Sequence, residues 1–109
     1  MQMFAERRRS SFVRRVADFL RDNDPEAAEM PPAEIEALVQ RQTAAAASYD
    51  INTEAAVVQF IEIGLVFGEE FHSSGEFPAA EQILASELDG TLKMQELLAL
   101  AETGMGGQS

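Results

Sequence analysis

Residues 55–71, AAVVQFIEIGLVFGEEF, are apolar around most of a helical circumference, and a helix of that kind is stable only where it is enclosed on nearly every side. At about 100° per residue, Val57, Phe60, Ile61, Phe67 and Phe71 fall on one face with Gly64 and Gly68 between them. Val58, Ile63, Leu65 and Val66 carry the apolar surface beyond that face. Gln59, Glu62, Glu69 and Glu70 interrupt the run, so it falls short of the ~20 predominantly apolar residues that a bilayer span requires. The enclosure must therefore come from protein, and this helix is expected to be the central one. Each glycine in a helix interior costs ~1 kcal/mol, so Gly64 and Gly68 on the inward face predict close approach of a neighbouring helix. Val66 and Val58 remain in excess of what one core needs, a surface that a homodimer would cover.

The flanking segments supply partners for it. Phe12, Val13, Val16, Ala17, Phe19 and Leu20 share one side of a first helix whose other side carries Arg7, Arg8, Arg14, Arg15 and Arg21, with Arg9 near the edge of the apolar stripe. Asn23, Asp24 and Pro25 break that helix, and DPEAAEM reads as one acidic helical turn capped by Asp24. Pro31 and Pro32 precede a second helix with Ile35, Leu38, Val39, Gln42, Ala45, Ala46 and Tyr49 on one face, Tyr49 burying its ring and leaving its hydroxyl wet. Asn52 or Thr53 caps the central helix, and His72, Ser73, Ser74 and Gly75 end it. Phe77 and Pro78 open a further helix with Ile83, Leu84 and Leu88 inward, which Gly90 terminates in a left-handed conformation. The last helix runs from Thr91 with Met94, Leu97, Leu98 and Ala101 inward. No period-2 run or internal repeat occurs. The expectation is an all-α, compact bundle of about five helices.

At 109 residues and 46% hydrophobic composition the chain fits one small domain, which buries roughly 65% of its unfolded surface. That single helical domain is expected over 1–103, with 104–109, GMGGQS, as a disordered tail. The absence of cysteine excludes disulfides and thiolate zinc ligands and is compatible with a reducing cytosol, so a cytoplasmic location is expected. The basic start lacks an apolar run of about 7–15 residues and a small-residue cleavage site, and is read as part of the mature protein.

Charge divides the chain. Six of its eight basic residues lie in the first 21 positions, against Glu6 and Asp18, whereas the remainder holds Arg41 and Lys93 against 17 carboxylates. A net charge of −11 argues against nucleic acid as a partner, because the anionic body would repel a duplex. The basic helix has two readings. Its apolar stripe is what a small bundle needs, which makes the arginines the solvated or ion-paired outer face of an integral helix and excludes stable membrane insertion. Alternatively Arg7, Arg8, Arg14, Arg15 and Arg21 form a patch that recognises an acidic partner, while the acidic body meets a basic one.

Catalytic groups are sparse. The one histidine, His72, sits where a protonated imidazole would complement helix-terminal carbonyls, and Ser73 and Ser74 beside it have turn composition. Glu69 and Glu70 are consecutive and diverge by about 100° on a helix, so they do not chelate one ion. Neither zinc spacing nor a calcium loop occurs, and GLVFG and GMGGQS lack the strand and helix context of a phosphate-binding loop. No catalytic, cofactor or metal residues are assigned, and the chain is expected not to be an enzyme.

Three stretches, FVRRVADFLRDNDPE, AAAASYDINTEAAVVQFIEIGLVFGEEF and ILASELDGTLKMQELLALA, together covering most of 11–101, resemble a group of small helical bacterial proteins associated with type VI secretion and polymorphic-toxin gene clusters. The segments with Tyr49, Ile51, Thr53 and Glu54, and with Gly90, Thr91, Lys93 and Met94, carry the resemblance most distinctively. It implies no catalytic residues. It implies a protein partner, an effector, a spike or tip component or a toxin, with this chain as an accessory or adaptor protein. An immunity protein that neutralises a toxin is the next expectation, and a regulatory or membrane-peripheral protein acting through the basic helix is the alternative of another class.

Overall fold

Every regular element among the described residues of the computed structural model is an α-helix. The description covers residues 3–103, with side chains from Phe12 onward. The expectations for the side chains of Arg7, Arg8 and Arg9 and for a disordered tail over 104–109 lie outside it. In chain order the helices are α1 (Met3–Asn23), α2 (Pro25–Ala28), α3 (Pro32–Ser48), α4 (Glu54–Phe67), α5 (Pro78–Ala85) and α6 (Gly90–Glu102). The all-α expectation holds. Among the described residues there are six helices rather than about five, because the acidic turn after Asn23 closes as a helix of its own, α2. Its cause is local: the Asp24 carboxylate accepts from Glu26 N at 2.9 Å and Ala27 N at 3.4 Å, and Pro25 supplies a preset first φ.

Contacts divide the chain into two units, Met1–Arg41 and Gln42–Ser109, with the boundary inside α3. In the first unit α1 buries Val13, Val16, Ala17 and Leu20, as its phasing predicts, and packs against α2 through Ala27. Phe19 departs from the expectation: it is 46% exposed, on the flank of the stripe. Asn23 closes α1 by donating its side-chain amide to the Phe19 carbonyl at 2.8 Å.

In the second unit α4 is the most buried helix, with Phe60 and Ile61 fully enclosed, and α6 packs against both α4 and α5. Thr53 is its cap, accepting from Ala56 N. Gly64 meets the expected close neighbour: a Cβ there would lie 2.7 Å from Gln42 Nε2, and that buried amide instead donates to the Glu69 carbonyl at 3.1 Å. Gly68 does not meet one. The helix ends at Phe67 because Gly68 takes φ +114°, with open space on its Cα, so this glycine serves as a terminator and Phe71 is buried from the turn beyond it.

Gly90 reverses its expected role as well. Asp89 caps α6 through Leu92 N at 2.9 Å, and Gly90 is the first residue of that helix, without the left-handed φ expected of a terminator. Its lack of a side chain is required by the Asp50 carbonyl, which occupies the space a Cβ would need. Leu88 lies beyond the end of α5 and is exposed rather than inward.

Candidate interaction surface

The C-terminus of α3 organises the second unit. Ile51 N donates to Ala46 O at 2.9 Å and Asp50 N to Ala47 O at 3.0 Å, the paired bonds of a Schellman motif, with Asp50 in the left-handed region at φ 71°. Ile51 and Ala46, whose contact such a motif brings, are both buried. The carbonyl of Tyr49 is left over by this pattern, and the Lys93 ammonium donates to it at 2.8 Å. Lys93 is 5% exposed. A cation placed against the terminal carbonyls of a helix gains from their partial negative charge, which offsets part of the cost of taking it out of water.

Tyr49 also anchors a ring cluster. Its ring lies 6.3 Å from Phe60 and 5.6 Å from His72, and Phe60, Phe71 and His72 stack mutually at 5.2–5.6 Å. Its hydroxyl, expected to be wet, is instead 3.0 Å from His72 Nδ1 and 3.3 Å from the His72 carbonyl oxygen. Burial lowers the imidazole pKa against the pull of Glu70, Glu69 and Glu81, and burial together with Glu81 raises that of the phenol. Both groups are thereby held neutral near pH 7, the phenol donating and the ring accepting. The helix-end role expected for a protonated His72 gives way to this pairing, because α4 has already ended at Phe67. Among the described residues no three or more His, Asp or Glu groups come together to hold a metal ion.

On residues 42–109 the charge that remains on the outside is of one sign. Residues 42–109 contain eleven carboxylates, none of them buried, and one basic side chain, Lys93, which is buried on the Tyr49 carbonyl. His72 adds no cation at neutral pH. On the first unit Arg14 and Arg15 are exposed on α1, as expected of its basic face, whereas Arg21 is half-buried and its Nε has no hydrogen-bond partner among the described residues. The structure thus keeps Arg14 and Arg15 together on an outer surface and draws Arg21 inward.

The burial of Lys93 was not among the expectations. Its signal was there: the lysine stands four residues before Leu97 on a helix whose inward positions are Met94, Leu97, Leu98 and Ala101, which puts it at the edge of the apolar stripe. The Tyr49–His72 pair carried no such signal, since nothing local relates positions 23 apart. Compared with family models, with curated proteins and with solved structures, the chain matches none. No helix of the described residues is long and apolar enough to cross a membrane.

Proposed function

We propose that the protein is a non-enzymatic interaction module that binds a positively charged protein surface through its anionic unit, Gln42–Ser109. The supporting observation is the burial of Lys93: residues 42–109 hold eleven carboxylates, none of them buried, and their one Lys or Arg is withdrawn onto the Tyr49 carbonyl. Such a field raises association rates for cationic partners and repels anionic ones. The resemblance to proteins of type VI secretion and polymorphic-toxin clusters would make the partner an effector, a spike or tip component or a toxin, with an adaptor role first. An immunity role is the second reading, favoured by a surface suited to masking a basic toxin face. Arg14 and Arg15 offer a separate surface to an acidic partner.

Affinity capture with the full chain from a lysate of the organism that makes it tests this reading, run at about 0.1 M and about 1 M salt, where screening lengths are ~10 Å and ~3 Å. A basic protein held at low salt and released at high salt is the expected result, and co-expression with a captured toxin should restore growth if the role is immunity. Capture of only acidic proteins, or of a partner indifferent to salt, overturns it.

A further inference from the structure

α6 packs against α4, and near the starts of the two helices that packing leaves a cleft of about 250 Å³. The apolar part of its lining is aliphatic, with Ala56 and Met94 buried and Leu98 half-buried. The other part is polar and uncharged: the hydroxyls of Thr53 and Thr91 and the carboxamides of Gln59 and Gln95. Thr53 accepts from Ala56 N at 3.3 Å, which uses one lone pair of its oxygen and leaves its hydrogen to donate. The side chains of Gln59, Thr91 and Gln95 have no hydrogen-bond partner among the described residues.

No charged side chain lines this cleft, although the unit around it is anionic. An anion would enter a unit of eleven carboxylates whose one Lys or Arg is bound to the Tyr49 carbonyl. A cation would lose water against groups that carry no charge to pair with it. An uncharged molecule bears neither cost. Two carboxamides and two hydroxyls offer donors and acceptors together, which is what a secondary amide requires, since it presents one C=O and one N–H in a single plane. The aliphatic side chains suit alkyl groups on either side of that amide, and no ring lines the cleft to receive an aromatic one.

We propose that this cleft is a binding site for a small uncharged secondary amide carrying short alkyl groups. One carboxamide of the Gln59 and Gln95 pair donates to the ligand carbonyl, the other accepts from its N–H, and the alkyl groups seat on Met94 and Leu98. About 250 Å³ lies just below the ~300–1,000 Å³ of sites for drug-sized ligands, which limits the ligand to a fragment of that size. Selectivity follows from the pairing: an isostere without the N–H covers a carboxamide oxygen and leaves it unpaired. The site is independent of the charged surface on which the protein-binding reading rests, so either can fail without the other.

The test follows the amide signals of the full chain by heteronuclear NMR while it is titrated with N-propylpropanamide, with its ester isostere propyl propanoate, and with the charged chains hexanoate and hexylammonium. N-propylpropanamide should shift the side-chain amide signals of Gln59 and Gln95 along a saturating curve, with a Kd of ~1–10 mM as expected of so small a ligand. The ester should bind at least ~5-fold more weakly, and neither charged chain should give a saturating shift. Gln59→Leu and Gln95→Leu, at half-buried and exposed positions, should each weaken the amide by at least ~5-fold, read from the main-chain signals of Thr91 and Met94, while circular dichroism stays unchanged. Should a leucine variant unfold, the comparison of amide with ester on the parent chain still decides. No saturating shift with the amide, equal binding of amide and ester, or unchanged binding in both leucine variants overturns the proposal. Hexylammonium bound as tightly as the amide overturns it in favour of a cation held by the surrounding carboxylates, and hexanoate bound as tightly overturns it in favour of an anion.

Discussion

Lys93 is held by one acceptor, and its replacement separates two opposing terms. Lys93→Met keeps the length of the side chain and removes both the desolvated charge and the bond to the Tyr49 carbonyl. The carbonyl left at the end of α3 outweighs the relief of desolvation, so the variant should lose ~1–2 kcal/mol in urea unfolding. Stability equal to the parent would show that water replaces the ammonium. At His72 the sign follows from burial. The folded-state pKa lies below the ordinary histidine value of 6.5, so the unfolded chain binds the proton more readily. The stabilising contribution of the neutral ring is present above about pH 6.5 and is lost as the pH falls through the folded-state value. A proton NMR titration of the imidazole should give a midpoint below 6.5, and His72→Phe should flatten this part of the stability profile; a midpoint above 6.5 would mean that Glu70, Glu69 and Glu81 prevail. Protonation need not break the pair, because the Tyr49 hydroxyl can turn to the His72 carbonyl and accept from Nδ1–H. The Tyr49–His72 pair was not legible in the sequence, where a lone histidine beside two serines resembles a helix end and its true partner is 23 positions away.

Elements were legible wherever their causes are local. Asp24 acts as the cap its position predicts, and of the two candidates Asn52 and Thr53 it is Thr53 that caps α4, because a cap is made with residues two or three places on. The stripe of α1 and the enclosure of α4 follow from spacing alone. Glycine was the weak point, since a sequence cannot say whether its freedom is used for φ or for space. Gly68 is used for φ and Gly90 for space, the reverse of the expectation in both cases. The distinction has a measurable consequence. By intrinsic preference Gly90→Ala should gain stability, but a Cβ would collide with the backbone at Asp50, which cannot yield as a side-chain tip could, and the variant should instead lose ~2 kcal/mol. A gain would mean that the 49–51 joint and α6 move apart freely. Asp50→Gly tests the other side of the same joint. Asp50 holds the left-handed position of the motif at φ 71°, and its charge sits unfavourably at a helix C-terminus, so glycine should raise stability by ~0.5–1 kcal/mol, while Asp50→Val should lower it.

Across the whole molecule the net charge of −11 sets the response to ions. Eleven carboxylates on the surface of one unit repel one another, and the cation that could offset them is spent inside. Raising sodium chloride from near zero to about 0.15 M shortens the screening length to ~8 Å, comparable with the spacing of neighbouring surface charges. The melting temperature at pH 7 should therefore rise, by about 4–8 °C for each kcal/mol of repulsion relieved in a chain of this size. Attraction between the arginines of α1 and the carboxylates acts in the opposite sense, and a melting temperature that falls over the same range would show that it dominates. Lys93→Met separates the two. Removing a buried cation leaves the exposed charges as they are, so the salt slope of the variant should match the parent even though its melting temperature is lower. A steeper slope would show that the ammonium at the Tyr49 carbonyl neutralises the surface field from within, which is the condition that would weaken the case for a cationic partner.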